Sequence, residues 1–419
     1  MTLSSRRSCS QIVMGKEAKK LKSVAVIGGG MTGLTMGWRL AQRGYKVDVY
    51  EKNEYLGGLL GGMKIGNVWL EKAYHHIFRT DRRIIKLIEE LGLSDRLIWR
   101  ESRVGLYFEG KMYPFSTPAD LLKFPPLPII DKVRMGLTSL WLQFDKNWEK
   151  YEKSTASQFM RRYCGERAYR VIWEPLLRGK FHHYYDRISM AWLWARIHTR
   201  GGSREKDGKE YLGYMRGGFQ LIVEALAKKI VDRGGRIHMS WTVEEKELAK
   251  KYDLVISTAP SKGVEYLSAI NLVWATNQNL SRYYWHNIND LESPFLAVIQ
   301  QTNLIDRENY GGDHVYYLGG YYPQDHQLMK ASDNEVQTKY FGYLKKIFAD
   351  FDEKKVKWVK VSRFGKAQHI VGMNYRQKIE PYKVGKNIFH VNFSQVYPED
   401  RGINFAVKEA DKVVEIIIS

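Results

Sequence analysis

The sequence predicts an α/β protein of two domains, and three observations carry this prediction. Near the N-terminus, a β-branched run at 24–27 leads into a glycine-rich turn, a helical pattern and a second apolar run at 46–50. Such a strand, helix and strand are typical of a buried parallel sheet. The chain has 419 residues, which is more than one core usually serves. Apolar residues make up 44% of it, an ordinary share for a globular protein.

The glycine-rich turn carries Gly28, Gly30 and Gly33 at G-x-G-x-x-G spacing. The first glycine permits a tight turn, the second lets backbone N–H groups approach a pyrophosphate, and the third lets the helix pack on the sheet. The helix N-terminus then presents unpaired N–H donors and its positive dipole end to the anion. Glu51 ends the second strand, where a carboxylate accepts hydrogen bonds from a ribose diol and disfavours NADP. We therefore predict a Rossmann-type dinucleotide site.

Two further glycine pairs, Gly57–Gly58 and Gly61–Gly62, follow this acid. The stretch over 51–62 resembles the Glu…Gly-Gly segment of flavin amine oxidases and protoporphyrinogen oxidases. Leu59 stands where most members of that family have an arginine. The resemblance favours FAD over NAD as the dinucleotide.

Later segments extend the resemblance to nearly the whole chain from Lys22 onward. They are Glu174-Pro175-Leu176-Leu177, Gly217-Gly218-Phe219-Gln220, the strand DLVISTAP over 253–260, Arg363 to Ala367, and Gly402 at the start of a C-terminal helix over 403–418. Val391-Asn392-Phe393 replaces the Ala-Gly-Asp of relatives, so the ribityl contact must be made differently. The chain is similar to flavin-containing amine oxidoreductases, the broad group that includes protoporphyrinogen oxidase, phytoene desaturase and UDP-galactopyranose mutase.

This resemblance implies a Rossmann-type FAD-binding domain with an inserted α+β substrate domain, both discontinuous. The FAD-binding domain is expected over 22–79, 209–262 and 363–419, and the substrate domain over 80–208 and 263–362, after a flexible basic arm over 1–21. Without a cysteine near the C-terminal cofactor segment, the FAD is expected to be non-covalent. The residues expected to hold it are Gly28, Gly30, Met31, Thr32, Gly33, Glu51, Lys52, Gly57, Gly58, Leu59, Val243, Gly402, Ile403 and Asn404.

Catalytic residues are harder to name, and two pairs are candidates. His75 and His76 follow the second glycine pair, where the chain is expected to pass the flavin ring. They either transfer protons, hold an anion or form a half-buried structural pair. Because adjacent residues of a strand point opposite ways, a two-histidine metal site is not expected. Arg178 and Lys180 lie in a basic segment with two histidines, which either contacts an acidic substrate or is a solvated loop.

The net charge of +20 favours an anionic partner: an acidic substrate, a membrane surface or nucleic acid. The sequence has no trusted nucleic-acid motif, so a small anionic substrate is preferred. The apolar stretch over 121–144 is interrupted by Asp131, Lys132 and Arg134 and is not expected to span a bilayer. It either lies on a membrane surface or packs as a helix in the substrate domain.

The two cysteines, Cys9 and Cys164, give no disulfide framework and indicate a reducing compartment. We expect a cytoplasmic protein, with membrane association through 121–144 as an option. Three functions remain open. The first is an FAD-dependent oxidoreductase that removes hydride from a C–H or C–N centre of an anionic or amphipathic substrate. The second is a mutase-like flavin-dependent isomerase of a sugar nucleotide, and the third a flavin-binding protein without turnover.

Overall fold

The computed structural model describes residues 22–205 and 208–419, so the expected basic arm over 1–21 lies outside the described residues. Its β-strands, numbered β1 to β17 in chain order, are Ser23–Ile27, Lys46–Tyr50, Gly62–Ile65, Val68–Glu71, Ile77–Phe78, Leu97–Glu101, Val104–Phe108, Lys111–Pro114, Tyr211–Met215, Arg236–His238, Leu254–Ser257, Tyr266–Thr276, Trp285–Ile288, Ala297–Gln300, His314–Tyr322, Val356–His369 and Ile388–His390.

The α-helices, numbered α1 to α13 in the same way, are Met31–Gln42, Arg82–Glu90, Pro118–Leu122, Ile129–Phe144, Ala156–Cys164, Glu166–Ala168, Glu174–Phe181, Met190–Gly202, Gln220–Val231, Glu245–Ala249, Gln327–Lys330, Asp333–Ile347 and Ile403–Ile418. In the described residues, no helix has both the length and the apolar composition needed to cross a bilayer.

A five-stranded parallel sheet forms the base of the molecule, in the order β10-β2-β1-β11-β17. Its strands come from three separate stretches of the chain, 23–50, 236–257 and 388–390. Helix α1 packs against both α9 and α13, and their apolar faces share one core with the sheet. The predicted α/β class with a parallel sheet is confirmed, while the exact domain boundaries stay a prediction.

A second sheet of seven strands lies in the order β16-β12-β15-β14-β13-β7-β8. It is antiparallel except where β13 runs parallel to β7. The long strand β12 lies between β16 and β15 and is buried along its whole length. Helices α4, α5, α7 and α8 form a separate apolar cluster beside this sheet. The predicted inserted α+β part is therefore a mixed sheet with a helical layer.

The main local correction concerns residues 236–243, which the sequence predicts to be a strand that includes Val243. Strand β10 ends at His238, and Ser240 adopts a left-handed φ of 60° that no continuing strand allows. The chain bends there toward Glu51, whose carbonyl accepts a hydrogen bond from the Trp241 N–H at 2.9 Å. Val243 therefore lies in a loop, although it stays near the second strand.

Candidate functional site

The turn between β1 and α1 has the form that an anion site requires. Gly28 has a φ of 107°, and a side chain at Gly33 would place its Cβ 2.0 Å from the Gly28 carbonyl oxygen. At Gly30, a Cβ would meet no protein atom closer than the Gly57 oxygen at 4.0 Å. No side chain caps α1, so the N–H groups of Met31, Thr32 and Gly33 lack a side-chain acceptor. These glycines and the open helix N-terminus are suited to a pyrophosphate.

Glu51 lies next to this turn and is 5% exposed. Its carboxylate accepts hydrogen bonds from the N–H of Gly29 at 2.8 Å and from the backbone and side chain of Asn53 at 2.9 and 2.7 Å. Lys52 follows and is exposed. Val243 packs against the same small cluster as Tyr50. The structure thus brings Glu51, which is predicted for the ribose, near Val243, another residue expected to hold FAD.

The second glycine segment closes over the first. Gly57 donates its N–H to the Gly29 oxygen at 2.8 Å and forms an isolated bridge with Gly30. Gly57 and Gly58 have φ values of 110° and 57°, conformations that favour glycine. This contact places Leu59 at the wall of a cavity of about 420 Å³, which lies against the face of the seven-stranded sheet formed by alternate residues of β12, β13 and β15.

The N-terminus of α13 opens into the same cavity. Gly402, Ile403 and Asn404 line it, and no side chain caps the helix. The Asn404 side chain is already used, because its Oδ1 accepts the N–H groups of Arg83 and Ile84 at 3.0 and 3.3 Å. A helix N-terminus aimed at a flavin's N1–C2=O edge stabilises the anionic reduced ring. Two open helix N-termini and a buried acid therefore fit FAD, while the contacts of Glu51 with the ribose and of α13 with the ring stay predictions.

Asn392 does not point toward the cavity. Its amide donates to the Ser261 hydroxyl at 3.0 Å, and its oxygen accepts the Ser394 N–H at 3.0 Å. The residue is buried and caps a short turn. These partners disfavour a ribityl contact through the Asn392 side chain, and how that contact is made stays a prediction.

His75 and His76 both line the cavity. Burial lowers the pKa of His75 to about 4 and, together with the charge of Arg200, that of His76 to about 3. His75 Nδ1 lies 2.7 Å from the Ala73 oxygen, and His76 Nδ1 lies 3.2 Å from the Tyr284 hydroxyl. Both imidazoles are therefore neutral at pH 7, so neither holds an anion by its own charge.

Lys180 and Arg178 are separated by the structure. Lys180 is buried at the cavity wall, where its ammonium donates to Asp400 at 2.7 Å. Arg178 is outside this cavity: its guanidinium binds Glu174 at 2.8 Å and the Tyr185 hydroxyl at 2.8 Å. It lines a smaller, adjoining depression with His182 and His183. The predicted anion contact at Arg178 stays a prediction, and its position gives it no access to the main cavity.

Asp400 is the centre of a buried ionic cluster. Besides the bond from Lys180, its carboxylate accepts hydrogen bonds from Arg196 Nη1 at 2.5 Å and from the indole N–H of Trp192 at 3.2 Å. The charges of Lys180 and Arg196 hold the pKa of Asp400 well below its usual range, although burial alone would raise it. The cluster joins α7, α8 and the segment before α13, so it fixes the cavity wall to both parts of the fold.

The cavity wall is electropositive. Its charged side chains are five cations and three acids: Lys180, Arg196, Arg200, Arg204 and Arg401 against Asp81, Glu210 and Asp400. This positive electrostatic field acts on Tyr321, whose hydroxyl accepts a hydrogen bond from Arg401 at 2.8 Å. Burial would raise the pKa of Tyr321, yet Arg401 and Lys180 hold it below its usual value. Much of the remaining wall is apolar, with Phe115 and Met135 as examples.

The sequence alone did not single out Asp400, Arg401 or the arginines of α8. Asp400 lies more than 200 residues from Lys180 and Arg196, so no local pattern joins them. The arginines had a usable signal, because Arg196, Arg200 and Arg204 recur at a spacing of four. That spacing puts cations on one side of a helix.

Comparison with known families matches residues 31–386 to flavin containing amine oxidoreductases. Among curated relatives, coproporphyrinogen III oxidase from Propionibacterium freudenreichii is 28% identical over 178 residues. That match covers 40% of this chain and 33% of the relative, and the chain spans less than half the length of the next two curated relatives.

Solved structures show the same fold. An oxidoreductase from Methanosarcina mazei has a TM-score of 0.71 at 15% identity, and covers 94% of this chain and 100% of its own. Reduced UDP-galactopyranose mutase has a TM-score of 0.69 at 15% identity, with 94% and 96% covered. The predicted resemblance and the two-domain α/β fold are confirmed, and the family implies FAD as the cofactor.

Proposed function

Because the chain belongs to the flavin-containing amine oxidoreductases, we propose that it is an FAD-dependent oxidoreductase that removes hydride from a C–H or C–N centre of an anionic or amphipathic substrate. The observation that carries this proposal is the cavity between the predicted flavin edge and the cationic side of α8. Apolar walls take an apolar substrate body, and the excess of cations attracts an anionic end. The bound flavin supplies the hydride acceptor.

Each group of residues has a proposed task. Gly28, Gly30, Met31, Thr32 and Gly33 hold the pyrophosphate, and Glu51 holds the ribose. The second glycine segment and the start of α13 position the ring edge. The neutral imidazoles of His75 and His76 present hydrogen-bonding nitrogens at the cavity, where either can pass a proton between substrate and solvent.

The first test is the cofactor itself. We expect the purified protein to be yellow, and acid to release free FAD, because the described residues hold no cysteine near the predicted flavin edge and Cys164 is buried in the helical layer. Absorbance and chromatography of the released flavin measure this. A protein that stays colourless after reconstitution with excess FAD contradicts the proposal.

The second candidate function is isomerisation of a sugar nucleotide by reduced flavin. The electropositive wall favours it, because a diphosphate also needs fixed cations. Anaerobic stopped-flow with NADPH and candidate substrates separates the two. Reduction of the oxidised flavin by the substrate, one hydride for each product molecule formed, identifies the proposed oxidoreductase, and turnover by protein pre-reduced with NADPH, with no net gain or loss of electrons, identifies an isomerase. A protein that binds FAD but turns over nothing leaves the third option.

We further propose that the protein is cytoplasmic and that it docks on an anionic membrane surface through 121–144. Helix α4 exposes a stripe of apolar side chains to solvent. Its opposite side buries Asp131, Met135, Thr138 and Leu142. The exposed stripe consists of Ile129, Ile130, Val133, Leu137, Leu140, Trp141 and Phe144, whose exposed fractions run from 40 to 73%. An apolar patch of this kind on a monomer marks an interaction surface.

The surroundings of this stripe favour lipid as its occupant. Lys150 lies 5.4 Å from the ring of Trp141, and Arg162 lies 5.7 Å from that of Tyr163, which contacts Trp141. Aromatic rings with neighbouring cations are typical of the level of lipid headgroups. Met135, on the reverse side of α4, lines the cavity. The stripe therefore lies directly outside the wall that an amphipathic substrate would contact.

Vesicle binding tests the docking surface. We expect the protein to co-sediment with vesicles of phosphatidylcholine and phosphatidylglycerol and to bind pure phosphatidylcholine more weakly. Leu137→Glu is expected to lower the partitioning roughly tenfold or more, because it removes apolar burial and adds repulsion. Ile416→Glu is the matched control, because it makes the same aliphatic-to-acid change at an exposed apolar residue of α13. Equal binding by both variants contradicts the proposal. So does a wild-type dimer in solution that Leu137→Glu dissociates, because the stripe would then be a contact between two copies.

A further inference from the structure

Three arginines follow one another along the cavity side of α8 and its C-terminal end. Arg196, Arg200 and Arg204 are each four residues apart and all line the cavity. Like charges at this spacing repel each other and destabilise a helix. Such a series persists only where counter-charges or ligands balance it, so the partners of each arginine matter.

The partners of the three arginines differ. Arg196 forms an ion pair with Asp400 at 2.5 Å. Arg204 Nη1 donates hydrogen bonds to the carbonyl oxygens of Ser116 and Gly208 at 2.6 and 2.8 Å. Among the described residues, no hydrogen bond or ion pair engages the Arg200 guanidinium, whose side chain is largely buried at the cavity wall. Arg200 is therefore the cation of this series whose donors are available to a ligand.

The pKa of Arg200 and the cost of burying its charge also indicate that its guanidinium is available to a ligand. Burial and the neighbouring Arg196 lower its pKa to about 10, so it remains a cation at pH 7. Glu210 is close enough to offset part of this charge, but its carboxylate is bound by the Ser203 hydroxyl at 3.3 Å. A mostly buried guanidinium without a hydrogen-bonded counterion is costly. The fold keeps this cation at the cavity wall despite the cost.

Arg200 lines the same cavity as His76 and the start of α13, where the flavin edge is predicted. Its charge helps to lower the pKa of His76, which places the two groups within electrostatic range across the cavity. An anion held by Arg200 would therefore lie next to a neutral imidazole on the segment that passes the flavin. The apolar part of the same ligand would contact Ile197 and Phe115, which line the cavity as well.

We propose that Arg200 is the substrate-anchoring residue and binds the carboxylate of an apolar carboxylic acid. The guanidinium presents two parallel N–H donors, which match the two oxygens of a carboxylate in a way that a lysine cannot. This inference deepens the proposed function, on which it rests for the role of the ligand as substrate. It does not depend on Arg178, which lies outside this cavity.

The test uses the whole protein with and without FAD, and a probe series of benzoate, 2-naphthoate and decanoate. Affinity is measured by calorimetry and by the shift in melting temperature. We expect at least one carboxylate to bind, its neutral amide to bind at least tenfold more weakly, and Arg200→Gln to lose roughly tenfold or more in affinity for the acid. Arg200→Lys should keep only part of it, and Arg187→Gln, the matched control at a surface arginine paired with Glu265, all of it.

A second readout separates anchoring from a structural role. Arg200→Met removes a buried cation that lacks a bonded counterion, so we expect the ligand-free protein to melt at an equal or higher temperature. A fall in melting temperature without ligand would identify Arg200 as structural and overturn the proposal. Failure of every carboxylate to bind, or unchanged affinity in Arg200→Gln, would also overturn it. Because binding is read without flavin too, a protein that binds acids but no FAD contradicts only the proposed oxidoreductase function.

Discussion

Glu51→Ala is expected to weaken FAD binding by about 1.5–3 kcal/mol, the scale of a lost hydrogen bond to a charged group. The carboxylate lies beside the open N-terminus of α1, where it can accept from a ribose diol. It also holds the Gly29 N–H and Asn53, so its removal loosens the turn as well as the contact. Titration of apoprotein with FAD, followed by quenching of flavin fluorescence, measures the loss.

Two further variants separate these effects. Glu51→Gln keeps an acceptor and the size of the side chain but removes the charge, so we expect a loss between those of wild type and Glu51→Ala. Glu54→Ala is the control, since Glu54 is an exposed acid in the same loop. Unchanged affinity in Glu51→Ala would show that Glu51 is not on the ribose. An equal loss in Glu54→Ala would assign the effect to the net charge of the loop.

The dinucleotide part of the fold was predictable because its signals are local. Strand β1, helix α1 and strand β2 follow one another within 28 residues, and each has its own periodicity. The C-terminal helix was predicted over 403–418 and begins and ends there. The three glycines are recognisable in the sequence, because their spacing between a strand and a helix is typical of a dinucleotide-binding turn.

Helix α4 shows where a sequence pattern becomes insufficient. Its apolar residues recur at helical spacing, and such a stripe predicts an amphipathic helix but not the direction in which it faces. The more ordinary interpretation was a helix packed in the substrate domain. The structure turns the stripe outward and buries Asp131 and Thr138 instead. Contacts with α3, α5, α6 and α8 together determine that orientation.

The cavity wall was predicted least well, for a reason of distance along the chain. Lys180 was named for its basic neighbourhood, but its partner Asp400 is 220 residues away. Arg178, two residues before Lys180, turns to Glu174 on the preceding turn of the same helix. The two cations of this basic segment therefore divide between a buried ion pair, Lys180 with Asp400, and an ion pair outside the cavity, Arg178 with Glu174. The arginine series on α8 is separate from both.

The buried cluster around Asp400 leads to the largest expected loss of stability. Asp400→Asn removes the anion that Lys180 and Arg196 share, and both cations then remain at the wall without a charged partner. Breaking a buried ion pair from one side costs about 3–5 kcal/mol in the free energy of unfolding. Denaturant unfolding of the apoprotein measures this. Asp306→Asn is the control, because Asp306 pairs with Arg100 at the surface and should cost about 1 kcal/mol or less.

The pH dependence of this difference has a definite sign. The folded-state pKa of Asp400 lies well below the usual value, which is about 3.9 in an unfolded chain. Its contribution to stability is therefore fully present above about pH 5 and declines as the pH falls through 3.9 toward the folded pKa. We expect the gap between wild type and Asp400→Asn to be constant from pH 8 to about pH 5 and to narrow below about pH 4. A gap that instead widens on acidification, or a cost no larger than that of Asp306→Asn, would show that Asp400 does not hold the two cations of the cavity wall.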